Sequence, residues 1–229
     1  MALGPTGTAA RGAGSGPARI GVLGGTFDPV HIGHLVVAVI VRHSLGLDRV
    51  LLVVAGEPWQ KVGTRPIAPA EDRFAMVEAA LRELGEPTLE ASRVELERPG
   101  PSYMADTLVE LSRHHRGDEL FLIMGPEVAA DLGTWERPEE VCRLATVVVV
   151  TRAGVVPADL ELPAPPWRTK VVEVPALHVS STDLRRRVAN GAPVDVLVPP
   201  AALREIRRRG LYAGSRDERR WDDPVDGAS

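Results

Sequence analysis

A chain of 229 residues, 44% hydrophobic and 25% charged, has room for one α/β domain with a substantial core and is too short for two large ones. Its formal net charge of -4 gives no overall attraction to nucleic acid or to an anionic membrane, so any cationic site must be local. A single cysteine, Cys142, excludes an intramolecular disulfide, fits a reducing compartment and reads as a small core residue. No stretch reaches the roughly 20 apolar residues of a membrane-spanning helix.

The first 17 residues are rich in Gly, Ala and Pro and carry no apolar run, so they are expected to form a disordered arm, not a secretory signal. RIGVLG (19–24) is a short apolar run ending in glycines, a buried strand followed by a tight turn. A helix follows over 32–44, behind the capping-type pair Asp28-Pro29. RVLLVVA (49–55) is continuously apolar, as parallel strands covered on both faces are. Residues 68–84 form an amphipathic helix that opens on proline and acids. The pattern then gives a strand over 88–98, a helix over 102–115 and a buried strand over 119–125. A short helix (138–145) leads into TVVVVTR (146–152), and a proline-rich loop (157–168) into a strand at 169–174. Helices over 181–190 and 199–209 follow, and residues 214–229 read as a loose tail. This alternation predicts a single domain, 18–213, built on a doubly wound parallel sheet. Its ligands should bind outside the carboxyl ends of the strands.

GGTFDPVHIGH lies where the first strand ends. His31 and His34, three apart, can share one helix face. A zinc site needs a third ligand, however, and Ile32 stands where a zincin has glutamate, so no protein-built metal site is expected. There is no serine elbow for a nucleophilic triad, and neither GxGxxG nor GxxxxGK[ST] occurs. A nucleotide-phosphate site of another design remains. Gly24 and Gly25 let backbone N–H groups approach an anion, the helix N-terminus adds partial positive charge, and the imidazoles donate hydrogen bonds. Gly33 would leave room for a flat base. The plain alternative is two histidines that are merely solvated or satisfied in the core. Further on, in VSSTDLR (179–185), Ser180, Ser181 or Thr182 can cap a helix whose N–H groups face an anion. Arg185, one turn later, can fork onto phosphate oxygens, while Arg186 and Arg187 project towards a solvated face. His43, His114, His115 and His178 match no motif and read as surface or structural.

GGTFDPVHIGHL resembles the signature of the HxGH nucleotidylyltransferases, and VSSTDLR resembles their second signature, ISSTxxR. GEPWQK (56–61), PSYMADTL (101–108) and Trp135 are similar to the nicotinate mononucleotide adenylyltransferase branch, most nearly its actinobacterial members. The similarity runs from about Arg19 to Tyr212. Class I aminoacyl-tRNA synthetases also carry HIGH, but with a KMSKS loop and a much longer chain. The resemblance implies a Rossmann-like nucleotidylyltransferase fold and a cytoplasmic enzyme of NAD biosynthesis. Such an enzyme takes ATP with its Mg2+ and nicotinate mononucleotide to a dinucleotide and pyrophosphate, with neither nucleic acid nor membrane as partner.

The resemblance further implies that His31, His34, Lys61 and Arg185 act on the ATP phosphates. Gly24, Gly25, Thr26, Phe27, Gly33, Gly125, Glu127, Ser181 and Thr182 would hold the rest of ATP. Tyr103, Met104 and Thr107 would meet the pyridine nucleotide, and Trp135 would stack on its ring. Two positions depart from the pattern. Met104 stands where relatives have threonine, and Glu127, after Gly125-Pro126, stands for the aspartate of their GxD. A transferase for another phosphorylated acceptor, such as phosphopantetheine or glycerol phosphate, and a non-catalytic nucleotide sensor are the alternatives.

Overall fold

The computed structural model describes residues 16–58, 66–152 and 166–213. Within them the apolar runs become strands β1 (Arg19–Gly25), β2 (Arg49–Val54), β3 (Leu89–Ser92), β4 (Glu119–Met124), β5 (Ala145–Arg152) and β6 (Thr169–Val174). All pairings are parallel, in the order β3-β2-β1-β4-β5-β6. Val22 of β1 faces Leu51 on one side and Leu122 on the other.

The helices are α1 (Ile32–Leu45), α2 (Ala70–Leu84), α3 (Met104–His114), α4 (Pro126–Ala130), α5 (Pro138–Leu144), α6 (Ser181–Ala189) and α7 (Pro200–Arg209). Each covers one face of the sheet. Val50, Leu52 and Val54 of β2 pack with Ala38 of α1, Met76 of α2, Leu184 of α6 and Ile206 of α7. The alternate residues Leu51 and Val53 pack with Leu108 of α3 and Val141 of α5. Both sides of the inner strands β1, β2, β4 and β5 are therefore buried, at about 1.5–3 kcal/mol for each large apolar side chain. The edge strands β3 and β6 keep partly exposed residues. Burial on both sides is why the inner runs are continuous, not alternating. Helices α1 and α2 end at Gly46 and Gly85, whose φ values of 60° and 70° are costly for any residue with a Cβ.

Two sequence expectations are corrected and one unassigned stretch gains structure. The strand expected over 88–98 ends at Ser92, and the chain then turns, with the Leu96 N–H donating to the Arg93 carbonyl at 2.8 Å. Val94 and Glu95 are consequently both buried, although the alternation VELE imitates a half-exposed strand. Helix α4 and a 3-10 turn over Leu132–Thr134 occupy a stretch with too few residues for periodicity to announce them. Asp28 does not cap α1. The N-cap is His31, because the Asp28 carboxylate is drawn to the Ala68 N–H and the Tyr212 hydroxyl. The expected arm and tail lie largely outside the described residues.

Strands β1 and β4 are neighbours in the sheet but lead to helices on opposite faces. A crevice opens at such a switch point, beyond the strands' carboxyl ends.

Candidate active site

Two clefts flank that switch point and share Leu23, Ile123, Met124 and Gly125 as a common floor. One, of about 300 Å³, is lined by His31, Gly33 and His34 from the start of α1, by Gly125 and Glu127, and by Thr151 and Arg152 at the end of β5. The other, of about 350 Å³, is lined by Gly24, Gly25 and Thr26, by Glu95, Tyr103 and Met104, and by Trp135. Residues from sequence positions as distant as 24 and 135 thus share one wall. Arg152, a cation on the wall of the first cleft, and Glu95, a carboxylate on the wall of the second, were not anticipated from the sequence.

The histidines are tightly arranged. Their rings stack with centroids 3.7 Å apart and an interplanar angle of 23°. Nδ1 of His34 accepts the His31 backbone N–H at 3.2 Å, so the neutral His34 ring carries its proton on Nε2 and is a donor there. Phe27, with φ 50° and 2% exposed, meets His34 edge-on at 4.9 Å. It lines neither cleft and supports the imidazole instead. Gly25 and Gly33 make this packing possible. A Cβ on Gly25 would lie 2.9 Å from the Phe27 ring, and one on Gly33 would lie 3.1 Å from Nδ1 of His31. His31 is 8% exposed, and among the described residues its buried Nδ1 has no hydrogen-bond partner. A buried orphan of this kind costs free energy unless a ligand or water completes it.

Burial pushes the His31 imidazole down to about 4. Between that value and the ordinary 6.5 the unfolded chain takes up a proton that the folded chain refuses. Stability therefore falls as pH falls through this window, by about 2–3 kcal/mol between pH 7.5 and 4.5. Urea unfolding at these two pH values should show the drop, and His31→Gln should reduce it. An equal drop in both proteins would mean that this imidazole is not the group responsible.

At the second signature, Ser180 caps α6 by accepting from the Asp183 N–H at 3.2 Å. Ser181 Oγ donates to the Pro29 carbonyl at 2.9 Å. Arg185 donates from Nη1 to the Asp28 carbonyl at 2.7 Å and from Nη2 to Thr182 Oγ1 at 3.1 Å. Ser181, Thr182 and Arg185 line neither cleft. They are bonded directly to residues 28 and 29, just before the histidines, or to one another. Arg186 and Arg187 pair with the half-exposed Asp183, where such pairs contribute little. Lys61 lies outside the described residues.

Arg73 is another feature that the sequence reading missed. It is 1% exposed and donates to the carbonyls of Ala68 (2.8 Å), Thr26 (2.9 Å) and Gly56 (3.1 Å). One guanidinium thus joins the loops that follow β1 and β2.

On the other cleft, Met104 opens α3, with Cε 2.8 Å from where a Gly24 Cβ would stand. Its terminal methyl therefore lies against Gly24, at the edge of the glycine turn. Thr107 lies beneath the wall. It is fully buried and donates to Glu95 Oε1 at 2.6 Å. Arg137, just after Trp135, pairs with Asp106 in the first turn of α3, which ties the tryptophan's loop to that helix. On the first cleft, Glu127 Oε2 would lie 3.0 Å from a Cβ on Gly125.

A parallel sheet with its switch-point crevice, a Gly-Gly turn and a stacked histidine pair at a helix N-terminus are the features of a nucleotide-binding domain, and the two signatures resemble those of the nucleotidylyltransferase class. Residues 22–187 match the family model described as cytidylyltransferase-like. Proteins described as probable nicotinate-nucleotide adenylyltransferases from three organisms align over most of their length. That of Roseiflexus sp. is 46% identical over 85% of this chain and 98% of its own. The values are 44%, 85% and 99% for that of Thermus thermophilus, and 43%, 87% and 92% for that of Saccharopolyspora erythraea. A Plasmodium falciparum nicotinic acid mononucleotide adenylyltransferase complexed with NaAD has the same fold, with a TM-score of 0.66, 15% identity and 85% and 97% of the two chains covered. The chain belongs to the nicotinate-nucleotide adenylyltransferase family.

Proposed function

We infer that the protein transfers the adenylyl group of ATP to the phosphate of nicotinate mononucleotide, giving nicotinate adenine dinucleotide and pyrophosphate, in the cytoplasm. The observation that carries this reading is the pair of clefts meeting at the switch point, with the stacked His31 and His34 at the first and Trp135 at the second. The family relationship supports the choice of substrates.

The chemistry asks little of the protein beyond placement and charge. The attacking group is a phosphate monoester with a second pKa of about 6, already ionised at neutral pH, so no general base is needed. One of its oxygens bonds to the α-phosphorus, and the bond to the α–β bridging oxygen breaks as pyrophosphate leaves. The barrier is the approach of two anions and the charge growing on the leaving group, which preorganised donors lower. His31 and His34 offer imidazole N–H groups, the first turns of α1 and α6 offer backbone N–H groups, and Arg185 and Lys61 bring cations. Mg2+ prefers oxygen ligands. Mg2+ would accordingly enter with ATP, held by the phosphate oxygens as part of the substrate.

Purified protein given MgATP and nicotinate mononucleotide should form dinucleotide and pyrophosphate in equal amounts. Phosphopantetheine and glycerol phosphate should yield neither. Pyrophosphate release only with another acceptor, or ATP binding without turnover, would overturn the reading.

Met104 bears on acceptor choice. Its thioether cannot give the hydroxyl that threonine would present to the pyridine carboxylate, which leaves backbone N–H groups at the start of α3. A partly apolar site discriminates weakly between polar analogues. Nicotinate mononucleotide should therefore be preferred over the nicotinamide form by a modest margin, and Met104→Thr should widen it about tenfold in kcat/KM. An unchanged ratio would mean that position 104 does not face the ring.

A further inference from the structure

Asp28 lies in the first signature, yet its side chain faces away from both clefts and is 1% exposed. A buried carboxylate is costly unless it is partnered. Oδ1 accepts from the Tyr212 hydroxyl at 2.7 Å and from the Ala68 N–H at 3.3 Å. Oδ2 stands 3.8 Å from Nη1 of Arg185. That distance is well beyond the roughly 2.7–2.9 Å of a direct guanidinium–carboxylate hydrogen bond. Nη1 reaches instead for the Asp28 main-chain carbonyl at 2.7 Å. Arg185 thus pairs with the carboxylate at longer range while giving its short Nη1 hydrogen bond to the main-chain carbonyl.

Tyr212 occupies the other oxygen of that carboxylate, and the chain bends unusually to deliver it. It follows α7, whose helix is fixed to α2 by Arg204 on Glu83 and by Arg209 on Asp72. The φ of Tyr212 is 60°, a left-handed conformation that a bulky residue adopts only when its surroundings hold it there. Burial and the neighbouring Asp28 carboxylate keep the phenol far above its ordinary range, so the hydroxyl remains a donor throughout the working pH range.

We infer that Tyr212 is a positioning residue: by taking up Asp28 Oδ1 it keeps the guanidinium of Arg185 on the Asp28 carbonyl and Thr182, available to phosphate. Without the hydroxyl, a carboxylate that has lost one donor should draw Arg185 onto itself and away from the site. The inference rests on the phosphate role proposed above for Arg185, but its structural half can be tested without any substrate.

In ligand-free protein, the Arg185 Nε–Hε resonance, assigned through Arg185→Lys, should shift in Tyr212→Phe. In steady-state kinetics, Tyr212→Phe should raise KM for ATP and the inhibition constant of pyrophosphate about tenfold, leaving KM for the mononucleotide unchanged. In an Arg185→Lys background the same substitution should change them less than about twofold, because residues acting through one another are not additive. A purely structural role would lower thermal stability and affect both backgrounds equally. An unmoved Arg185 resonance, or equal losses in both backgrounds, would overturn the inference. Loss of coupling to ATP with the resonance still shifted would instead count against the phosphate role of Arg185.

Discussion

Replacing His34 with alanine should lower kcat by about 10²-fold or more while leaving the fold intact. Removing one preorganised donor to developing charge typically has an effect of this size. The geometry suits His34 to the donor role proposed for it. The His31 backbone N–H occupies Nδ1 at 3.2 Å, the His31 ring lies 3.7 Å away on one face, and Phe27 closes an edge at 4.9 Å. The ring has little freedom to lose when phosphate arrives, so its Nε2 proton is presented at low entropic cost. Its stability contribution is smaller, since the side chain is only partly buried. The measurement is steady-state turnover beside thermal unfolding. Turnover like that of the parent in a folded His34→Ala protein would remove the imidazole from the mechanism. Stoichiometric zinc in the purified parent would assign the pair to a metal instead.

Much of this site could be read from the chain because its parts are local. A glycine pair at a strand end and a histidine pair at a helix start, which line the clefts, declare themselves within a few residues, as does the Ser-capped helix bearing Arg185, which packs behind them on residues 28 and 29. The parallel sheet was legible for a related reason: runs such as RVLLVV are apolar on both faces, which only a doubly covered strand requires. The segment 93–98 misled because the alternation VELE satisfies a strand pattern, whereas the turn there depends on Glu95 finding Thr107 twelve residues away. Asp28 with Tyr212 (separation 184) and Arg73 with Thr26 (separation 47) join residues whose pairing no local pattern encodes. One of them did leave a trace. The buried stripe of α2 is Arg73, Met76, Val77, Ala80 and Leu81, spaced i, i+3, i+4, i+7 and i+8, and an arginine on such a stripe must find buried acceptors or break the helix's docking.

Those acceptors make Arg73→Met the substitution with the largest expected effect on stability, a loss of about 3–6 kcal/mol. Methionine fills most of the stem's volume, so the cavity term is small. The balance then lies between two polar effects. Removing a buried cation relieves its desolvation cost, which is why buried ion pairs replaced whole by apolar groups are often neutral. Here, however, the partners stay behind. The carbonyls of Ala68, Thr26 and Gly56, bonded at 2.8, 2.9 and 3.1 Å, lose their donor at a position 1% exposed to water. Each orphaned acceptor costs about 1–3 kcal/mol, and the neighbourhood of Asp28 and Tyr212 loses a cation as well. The penalty therefore exceeds the relief, and it is a large share of the roughly 5–15 kcal/mol that holds a domain folded. Arg73→Lys, with a single ammonium able to reach fewer of the three, should recover only part of the loss. Urea unfolding of the three proteins decides it: a drop below about 1 kcal/mol for Arg73→Met, less than a single orphaned acceptor costs, would mean that the loops after β1 and β2 hold together without this guanidinium.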